Sequence, residues 1–215
     1  MCASVIEVVR VVIQARMSSS RFPGKVLAPF RGAPLIRSVL SAVQQALPIV
    51  PIVVATSVQS SDDPLVGYLA TLDIPVFRGP LDRVFDRFLG CADTFPARWL
   101  LRVNADSPVL APEPLRGVVA HADRSDLDLI TTTFPRTFPR GHNAEMIRVD
   151  TMRALDRNEL TALDQEHVTQ FFYRNSTRFR ILNVESGDPS LASRSFAVDT
   201  LDDLRRLEGD EGVRA

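Results

Sequence analysis

The sequence predicts an α/β fold built on a doubly wound, mostly parallel β-sheet, with a small irregular extension at its C-terminal end. The run from Val8 to Ile13 is β-branched and nearly continuous, as in a strand buried on both faces of a parallel sheet. Further apolar runs alternate with segments of helical periodicity, which is the pattern of repeated βαβ units. The chain has 215 residues, 45% of them hydrophobic, so it can bury one full core and we expect a single domain spanning residues 1–215.

The elements of the first half follow one another regularly. Pro34 is placed as an early residue of the first helix, and the pair Asp63-Pro64 opens the second. Val84 and Phe88 belong to an apolar stripe at helical spacing, which predicts the third helix. The predicted strands are residues 8–13, 49–55, 74–77, 99–103 and 127–133, and the predicted helices are residues 34–46, 63–72, 82–95 and 112–122.

The second half is less regular. Residues 134–143 contain two prolines and one glycine, which predicts a loop that crosses the mouth of a site at the sheet edge. We expect two helices within residues 150–175. The predicted strands are residues 145–149, 179–184 and 195–198, and the closing helix is residues 201–207.

The charge of the chain argues against two classes of partner. Its formal net charge is −1 at pH 7, so no overall positive field draws it to nucleic acid or to an anionic membrane. The N-terminus shows no basic segment followed by an apolar one, and no run approaches the roughly 20 apolar residues that span a bilayer. We therefore expect a cytoplasmic protein. Cys2 and Cys91 are too few and too far apart to predict a disulfide framework or a zinc site.

The segment from Gln14 to Lys25 carries the strongest functional signal. Lys25 is the only lysine beside 24 arginines, and it closes a Ser/Gly/Pro-containing segment in which Arg16 and Arg21 also lie. The segment follows the first predicted strand, and ligands of open α/β sheets bind at the carboxyl ends of strands. A compact ammonium on a flexible stem suits a phosphate oxygen. The segment therefore predicts a polyphosphate-binding loop, although it lacks the Gly-x-x-x-x-Gly-Lys-Ser/Thr spacing of a Walker A loop.

This segment reads Gln-Ala-Arg-Met-x-Ser-x-Arg-x-Pro-Gly-Lys, and it resembles the first motif of the sugar-activating cytidylyltransferases. These are the CMP-KDO synthetase and CMP-sialic acid synthetase group, and the likeness is greatest to the spore coat polysaccharide biosynthesis protein F branch. The resemblance implies a Rossmann-like sheet of the nucleotide-diphospho-sugar transferase type. It also implies transfer of CMP from CTP to a sugar acid or similar small acceptor, with release of pyrophosphate, for polysaccharide or glycoconjugate precursors. Relatives in this group are often homodimers, so we expect a homodimer.

The resemblance assigns roles to residues of the loop. Arg16, Arg21 and Lys25 are expected to hold the β- and γ-phosphates of CTP, and Arg16 and Lys25 are counted among the catalytic residues. Gly24 would let the backbone approach the nucleotide closely, and Ala15 joins the nucleotide-binding set.

Two aspartates are candidate ligands of Mg²⁺ or Mn²⁺. Asp106 follows the fourth predicted strand in Asn-Ala-Asp-Ser-Pro, and Asp199 lies where a late strand meets the last helix in Val-Asp-Thr-Leu-Asp-Asp-Leu. Mg²⁺ is usually bound by one or two carboxylates together with substrate phosphates and waters. Both segments resemble family motifs in which these aspartates complete the metal site, and Asp106 would then also be catalytic and contact the nucleotide. The simpler alternative is that Asp106 caps a turn and Asp199 caps the last helix.

Four further residues are candidates on weaker patterns. Arg78 stands in a Phe-Arg-Gly element like one that the family places near the nucleotide. His167 stands in Glu-His-Val-Thr, another family segment; it either contacts the acceptor or belongs to a helix in which neighbouring residues satisfy it. Asn143 and Glu145 lie in a segment that commonly reads Pro-x-Gly-x-Asp-x-Glu in the spore coat branch. Asn143 replaces that Asp, and an amide cannot carry its charge, which suggests an altered acceptor.

Two other functions remain open at this point. A metal-dependent glycosyltransferase that uses a nucleotide-sugar would be expected to carry an Asp-x-Asp motif, and Asp126 and Asp128 form the only such spacing. That pair precedes a predicted strand instead of following one. A non-catalytic nucleotide-binding module would keep Lys25 but lose one of the metal-binding acids.

Overall fold

A computed structural model describes residues 8–210 of the chain. Nine strands lie in this part of the chain. They are β1 Val9–Gln14, β2 Pro29–Phe30, β3 Ala33–Pro34, β4 Ile52–Ser57, β5 Val76–Gly79, β6 Trp99–Asn104, β7 Leu129–Thr131, β8 Glu145–Arg148 and β9 Ile181–Asn183. The helices are α1 Leu35–Ala46, α2 Asp63–Ala70, α3 Val84–Thr94, α4 Pro112–Val119, α5 Val149–Ala154, α6 Ala162–Glu166, α7 Gln170–Arg174 and α8 Leu201–Gly209.

Seven of the strands form one sheet with the order β5-β4-β1-β6-β8-β7-β9. Neighbouring strands run parallel except where β8 pairs with β6 and β7. The central strands β4, β1 and β6 end at the same edge, which brings the segments that follow them together. This sheet confirms the predicted doubly wound, mostly parallel α/β fold.

Helices cover both faces of the sheet because its strands are apolar on both sides. In β1, Val11 and Ile13 belong to a core that includes buried residues of α1, α2, α4 and α8. Val12 belongs to a second core with residues of α3, α5 and α7. Successive side chains of a strand point to opposite faces, so the continuous apolar run of β1 contributes to two cores at once.

The short hairpin of β2 and β3 was not predicted. Arg31 and Gly32, which connect the two strands, have φ angles of 51° and 82°. Positive φ at both positions is what a two-residue type I′ hairpin loop requires. Pro34 is the last residue of β3. The helix α1 therefore begins at Leu35, one residue later than the sequence predicted.

The prediction of a strand at residues 195–198 was wrong. This segment bonds to loops instead of to a strand: Phe196 N donates to the Arg140 carbonyl at 2.7 Å, and Val198 N donates to the Asp106 carbonyl at 2.8 Å. Loop carbonyls thus satisfy the backbone donors that a sheet would otherwise satisfy. The region 150–175 also differs from the prediction, because it contains parts of three short helices instead of two helices.

Two expectations from composition concern the cysteines and the membrane. Cys91 is a free, buried cysteine of α3, whereas Cys2 lies outside the described residues. None of the helices in residues 8–210 combines the length and the apolar composition that crossing a membrane requires.

Candidate active site

A cavity of about 360 Å³ opens at the carboxyl ends of β1 and β6. Gln14 and Asn104, the last residues of these strands, are register partners and both line it. Its lining is strongly charged and carries both signs. The charged groups are the cations Arg16, Arg21, Lys25 and Arg102 and the carboxylates Asp106, Glu166 and Asp199.

The loop of residues 15–25, which connects β1 to the hairpin, forms one wall of this cavity. The carbonyl of Met17 accepts backbone hydrogen bonds from Ser19 N at 3.0 Å and from Gly24 N at 2.8 Å. Gly24 has a φ of 75°, a conformation that favours glycine. The folded loop presents Ala15 and Lys25 to the cavity, whereas Gly24 does not line it.

Lys25 reaches across the cavity to the two predicted metal ligands. Its Nζ donates to Asp106 Oδ2 at 3.0 Å, to the Val198 carbonyl at 2.8 Å and to Asp199 Oδ1 at 3.4 Å. The Lys25 side chain is only 12% exposed. The fold therefore brings together three residues that lie far apart in the sequence.

The simpler interpretation of the two aspartates does not hold for Asp199. Thr200 is the N-cap of α8, and its hydroxyl accepts the N–H of Asp203 in a capping box. Asp203 Oδ2 in turn accepts the N–H groups of Asp199 at 3.1 Å and Thr200 at 2.9 Å. The helix cap thus fixes the backbone of Asp199 and leaves its carboxylate on the cavity. The Asp106 carboxylate accepts from Lys25 and, at 3.2 Å, from the Ser107 hydroxyl.

The donor set fits a hard divalent cation that is shared with a substrate. No cluster of three or more His, Cys, Asp or Glu side chains suited to a metal occurs among residues 8–210. Asp106 and Asp199 nevertheless offer carboxylate oxygens on one partly exposed wall, where both converge on Lys25. Mg²⁺ needs only one or two carboxylates when phosphates and waters complete its shell.

The two arginines of the loop make ion pairs at the cavity mouth. Arg21 Nη2 lies 2.9 Å from Asp199 Oδ1, and Arg16 Nη2 lies 3.6 Å from Glu166 Oε1. These pairs are partly exposed, and exposed ion pairs contribute little to stability. An incoming anion can therefore replace the carboxylate partners at low cost.

Glu145 lies beneath the cavity instead of lining it. Its carboxylate is buried and pairs with Arg102, and it accepts hydrogen bonds from Tyr173 Oη at 2.6 Å and Thr169 Oγ1 at 2.8 Å. Burial alone would raise the pKa of Glu145, but the Arg102 charge and these hydrogen bonds outweigh it and hold the pKa below its usual value. Burial and the neighbouring Glu145 charge raise the pKa of Tyr173, which keeps its hydroxyl a donor. Glu145 therefore orients Arg102, whose Nε also donates to Gln14 Oε1 at 3.1 Å.

Two other candidates also lie outside the cavity lining. Asn143 Oδ1 accepts a hydrogen bond from Arg136 Nη1 at 2.5 Å. Arg78 donates to the carbonyls of Ser57 at 2.9 Å and Gln59 at 2.8 Å, and it pairs with Asp63. His167, by contrast, lines the cavity.

Sequence reasoning missed several groups of the site. Arg102 is a charged residue within an apolar strand and lies two positions from Asn104, so the period of the strand places both side chains on one face. That signal was available. Glu166 adjoins the predicted His167, and its exposed pairing with Arg16 has no signature in the sequence.

Known proteins are similar to this chain in sequence and in fold. A family model described as cytidylyltransferase matches residues 10–203. The spore coat polysaccharide biosynthesis protein SpsF of Bacillus subtilis is 29% identical over 206 residues, which cover 92% of this chain and 83% of SpsF. A cytidylyltransferase structure from Leptospira borgpetersenii is similar with a TM-score of 0.89 and 24% identity, over 96% of this chain and 87% of that one. The structure of a CMP:2-keto-3-deoxy-manno-octonic acid synthetase complexed with CTP has a TM-score of 0.70 and 17% identity, over 94% and 97% of the two chains.

Proposed function

The chain belongs to the cytidylyltransferase family, and we propose that it transfers CMP from CTP to a sugar acid or similar small acceptor, releasing pyrophosphate. One observation carries the proposal. Lys25 of the loop meets Asp106 and Asp199 in a single cavity, so cations for a polyphosphate and carboxylates for a metal lie side by side.

The cations of the loop would bind the phosphates of CTP. Arg16, Arg21 and Lys25 line one wall, and each is now paired with a carboxylate that a phosphate oxygen can replace. Ala15 lines the cavity beside them, and the conformation of Gly24 keeps the loop folded around the nucleotide. Fixed cations at this position stabilise the charge that develops on the leaving pyrophosphate.

Asp106 and Asp199 would hold Mg²⁺, or Mn²⁺ in its place. Such an ion neutralises phosphate charge and orients the phosphates for in-line displacement. In the displacement, an acceptor oxygen forms a bond to the α-phosphorus of CTP while the bond from that phosphorus to the bridging oxygen of pyrophosphate breaks. The reaction needs no covalent intermediate with the protein.

The acceptor would be contacted from a second group of residues. We propose that His167 touches it directly, since this side chain lines the cavity. Glu145 would act through Arg102, and Asn143 through Arg136, because these are their hydrogen-bond partners. Arg78 would act on the nucleotide site only through the segment that it binds.

The glycosyltransferase alternative depended on Asp126 and Asp128. Asp126 pairs with Arg124 at 2.8 Å, and Asp128 accepts from Thr151 Oγ1 at 2.7 Å and from Arg180 N at 2.9 Å. Neither residue lines the cavity, so this alternative loses its metal motif.

The biological setting is part of the proposal. SpsF is named for spore coat polysaccharide synthesis, and we propose that this chain likewise makes an activated precursor of a polysaccharide or glycoconjugate. Its CTP would be drawn from the cytoplasm, which we propose as its location. We also propose a homodimer, which light scattering of the purified protein would test.

The thermal-unfolding midpoint tests the choice of nucleotide without knowledge of the acceptor. CTP, UTP, ATP and GTP are compared, each with and without Mg²⁺. A ligand at about 100 times its dissociation constant adds ~2.7 kcal/mol of stability, which raises the midpoint by roughly 5–10 °C in a domain of this size. A Mg²⁺-dependent rise selective for CTP supports the proposal. Selectivity for another nucleotide, or no rise with any of them, contradicts it.

A further inference from the structure

Asp62 is a buried carboxylate that none of the roles above uses. It is 0% exposed and forms no ion pair among residues 8–210. Its Oδ1 accepts the backbone N–H of Met17 at 2.7 Å. Its Oδ2 accepts the Thr56 hydroxyl at 2.8 Å, the Ser57 N–H at 2.9 Å and the Ser57 hydroxyl at 2.5 Å. A buried charge of this kind is costly unless its hydrogen bonds offset the loss of water.

The hydrogen-bond pattern requires a carboxylate. Each of its two oxygens accepts a backbone N–H, from Met17 in the loop and from Ser57 at the end of β4. An asparagine offers one acceptor oxygen and one NH₂ group, which can only donate. With Asn at position 62, one of the two N–H groups would face another donor. Asp62 therefore joins the loop to the sheet in a way that its amide analogue cannot reproduce.

Met17 is a central residue of the loop. Its N–H donates to Asp62, and its carbonyl accepts from Ser19 N and Gly24 N. Gly24 immediately precedes Lys25. Fixing the backbone of this one residue thus restrains the chain on both sides of the loop.

The segment that carries Asp62 is held from its other side by Arg78. The Arg78 guanidinium binds the carbonyls of Ser57 and Gln59 and lies 2.7 Å from Asp63 Oδ1. Residues 57–63 are therefore tied to β5 by a guanidinium and to the loop by a carboxylate. This connection gives Arg78 a place in the site although it does not line the cavity.

We propose that Asp62 is a positioning residue for phosphate binding, which fixes the backbone of Met17 and thereby sets the geometry of loop 15–25. This role rests on the proposed function, because it takes the loop to be the phosphate-binding element. The hydrogen bonds to Asp62 also hold the pKa of this carboxyl below its usual value, although burial alone would raise it. The carboxyl therefore stays ionised, as the two backbone donors require.

Hydrogen exchange tests the contact in the absence of any ligand. In Asp62→Asn, the amides of Met17 and Gly24 should exchange at least ~10-fold faster than in the wild-type protein, the scale of one lost hydrogen bond. The amide of Val12, in the middle of β1, serves as the internal reference and should not change. Unchanged exchange at Met17 would overturn the proposal whether or not the protein binds CTP.

Calorimetric binding of CTP and CMP, each with Mg²⁺, tests the consequence. CTP carries two phosphates that CMP lacks, so a displaced loop should weaken CTP much more than CMP. We expect the preference for CTP over CMP to fall at least ~10-fold in Asp62→Asn. Asp93→Asn, which alters an exposed pair between Asp93 of α3 and Arg153 of α5, should leave the preference unchanged. An equal loss of affinity for both ligands indicates general damage and contradicts the proposal.

The two proposals fail in different ways. If the wild-type protein binds no CTP, the proposed function is wrong, but the hydrogen-exchange experiment still shows whether Asp62 fixes the backbone of Met17.

A second variant keeps the test available if Asp62→Asn does not fold. Arg78→Gln removes the partly exposed guanidinium that holds residues 57–63 and leaves the buried carboxylate in place. It should speed exchange at Met17 and lower the preference for CTP, both less than Asp62→Asn. Wild-type values of both quantities would contradict the proposed connection.

Discussion

At the scale of single residues, the Lys25 ammonium connects three parts of the chain. Its partners are Asp106 after β6 and the Val198 carbonyl and Asp199 carboxylate before α8. All three of its N–H donors are thereby used. A phosphate oxygen that binds Lys25 as proposed would displace one of these acceptors, and the 3.4 Å contact with Asp199 is the longest of the three.

Removal of either end of the Lys25–Asp106 contact should impair the reaction. We expect Lys25→Ala and Asp106→Asn each to lower turnover by at least ~10²-fold, as when one preorganised electrostatic contact is lost. Pyrophosphate release with CTP and a competent acceptor measures this. Arg37→Ala, an exposed cation of α1, is the control and should keep the wild-type rate. Near wild-type turnover in either site variant would remove that residue from the machinery.

The buried Glu145 should make stability depend on pH in the acid range. Its folded-state pKa lies below its unfolded value of about 4.3, so its contribution is present above that pH and is lost as the pH falls through the folded pKa. Glu145→Gln should lower the free energy of unfolding by roughly 3 kcal/mol near neutral pH, because Arg102 loses its partner. The difference from the wild-type protein should shrink below about pH 4. Urea unfolding of both proteins near neutral pH and below about pH 4 measures this, and Glu185→Gln, at an exposed position, is the control. The same difference in the free energy of unfolding at both pH values would contradict the prediction.

The sequence could predict three of the residues that meet in the cavity but not the residues that support them. Lys25, Asp106 and Asp199 follow strands or precede a helix within recognisable patterns, and these patterns together with the family resemblance indicated them. The partnership of Glu145 with Arg102 depends on the antiparallel pairing of β8 with β6, which local periodicity does not specify. Asp62 was missed for a related reason, because its acceptor role depends on a loop 45 positions away in the sequence.

Among the connecting elements, the turn at Gly141 requires glycine, because any other residue would be strained there. Its φ is 92°, and a Cβ there would lie 2.7 Å from the Phe196 carbonyl carbon and 2.8 Å from Ala197 N. Gly141→Ala should therefore lower the free energy of unfolding by more than about 2 kcal/mol. Gly67→Ala is the matched control, since this exposed glycine of α2 has open space around it. It should raise stability by about 0.5–1 kcal/mol. Denaturant unfolding of both variants decides, and similar effects in the two would contradict the argument.

The elements themselves were largely predictable where one physical signal dominated. Buried parallel strands such as β1 and amphipathic helices such as α1 follow directly from hydrophobic periodicity. The hairpin of β2 and β3 was missed because its strands are too short to show a period. The predicted strand at residues 195–198 is absent because the N–H groups of Phe196 and Val198 donate to carbonyls of loops instead of to a neighbouring strand.

For the whole molecule, the reactivity of the Cys91 thiol should show whether the second core is folded, because Cys91 is buried in that core. Burial raises the pKa of its thiol to about 12, so almost no thiolate forms in the folded protein near pH 8. In a Cys2→Ser background, a chromogenic disulfide reagent should react with Cys91 only as fast as the molecule opens. The labelling rate should rise together with global unfolding in urea. Rapid labelling without denaturant would show that α3 opens independently.

The scarcity of primary amines gives this protein an unusual chemical handle. Acylating reagents leave guanidinium groups untouched, and Lys25 is the only side-chain amine in the sequence. Apart from the terminal amino group, a mild acylating label is therefore directed to one wall of the cavity. A ligand that fills the cavity would protect Lys25 from the label. Quantitative mass spectrometry of the Lys25 label would therefore give the fraction of protein molecules with an occupied cavity, without any knowledge of the acceptor.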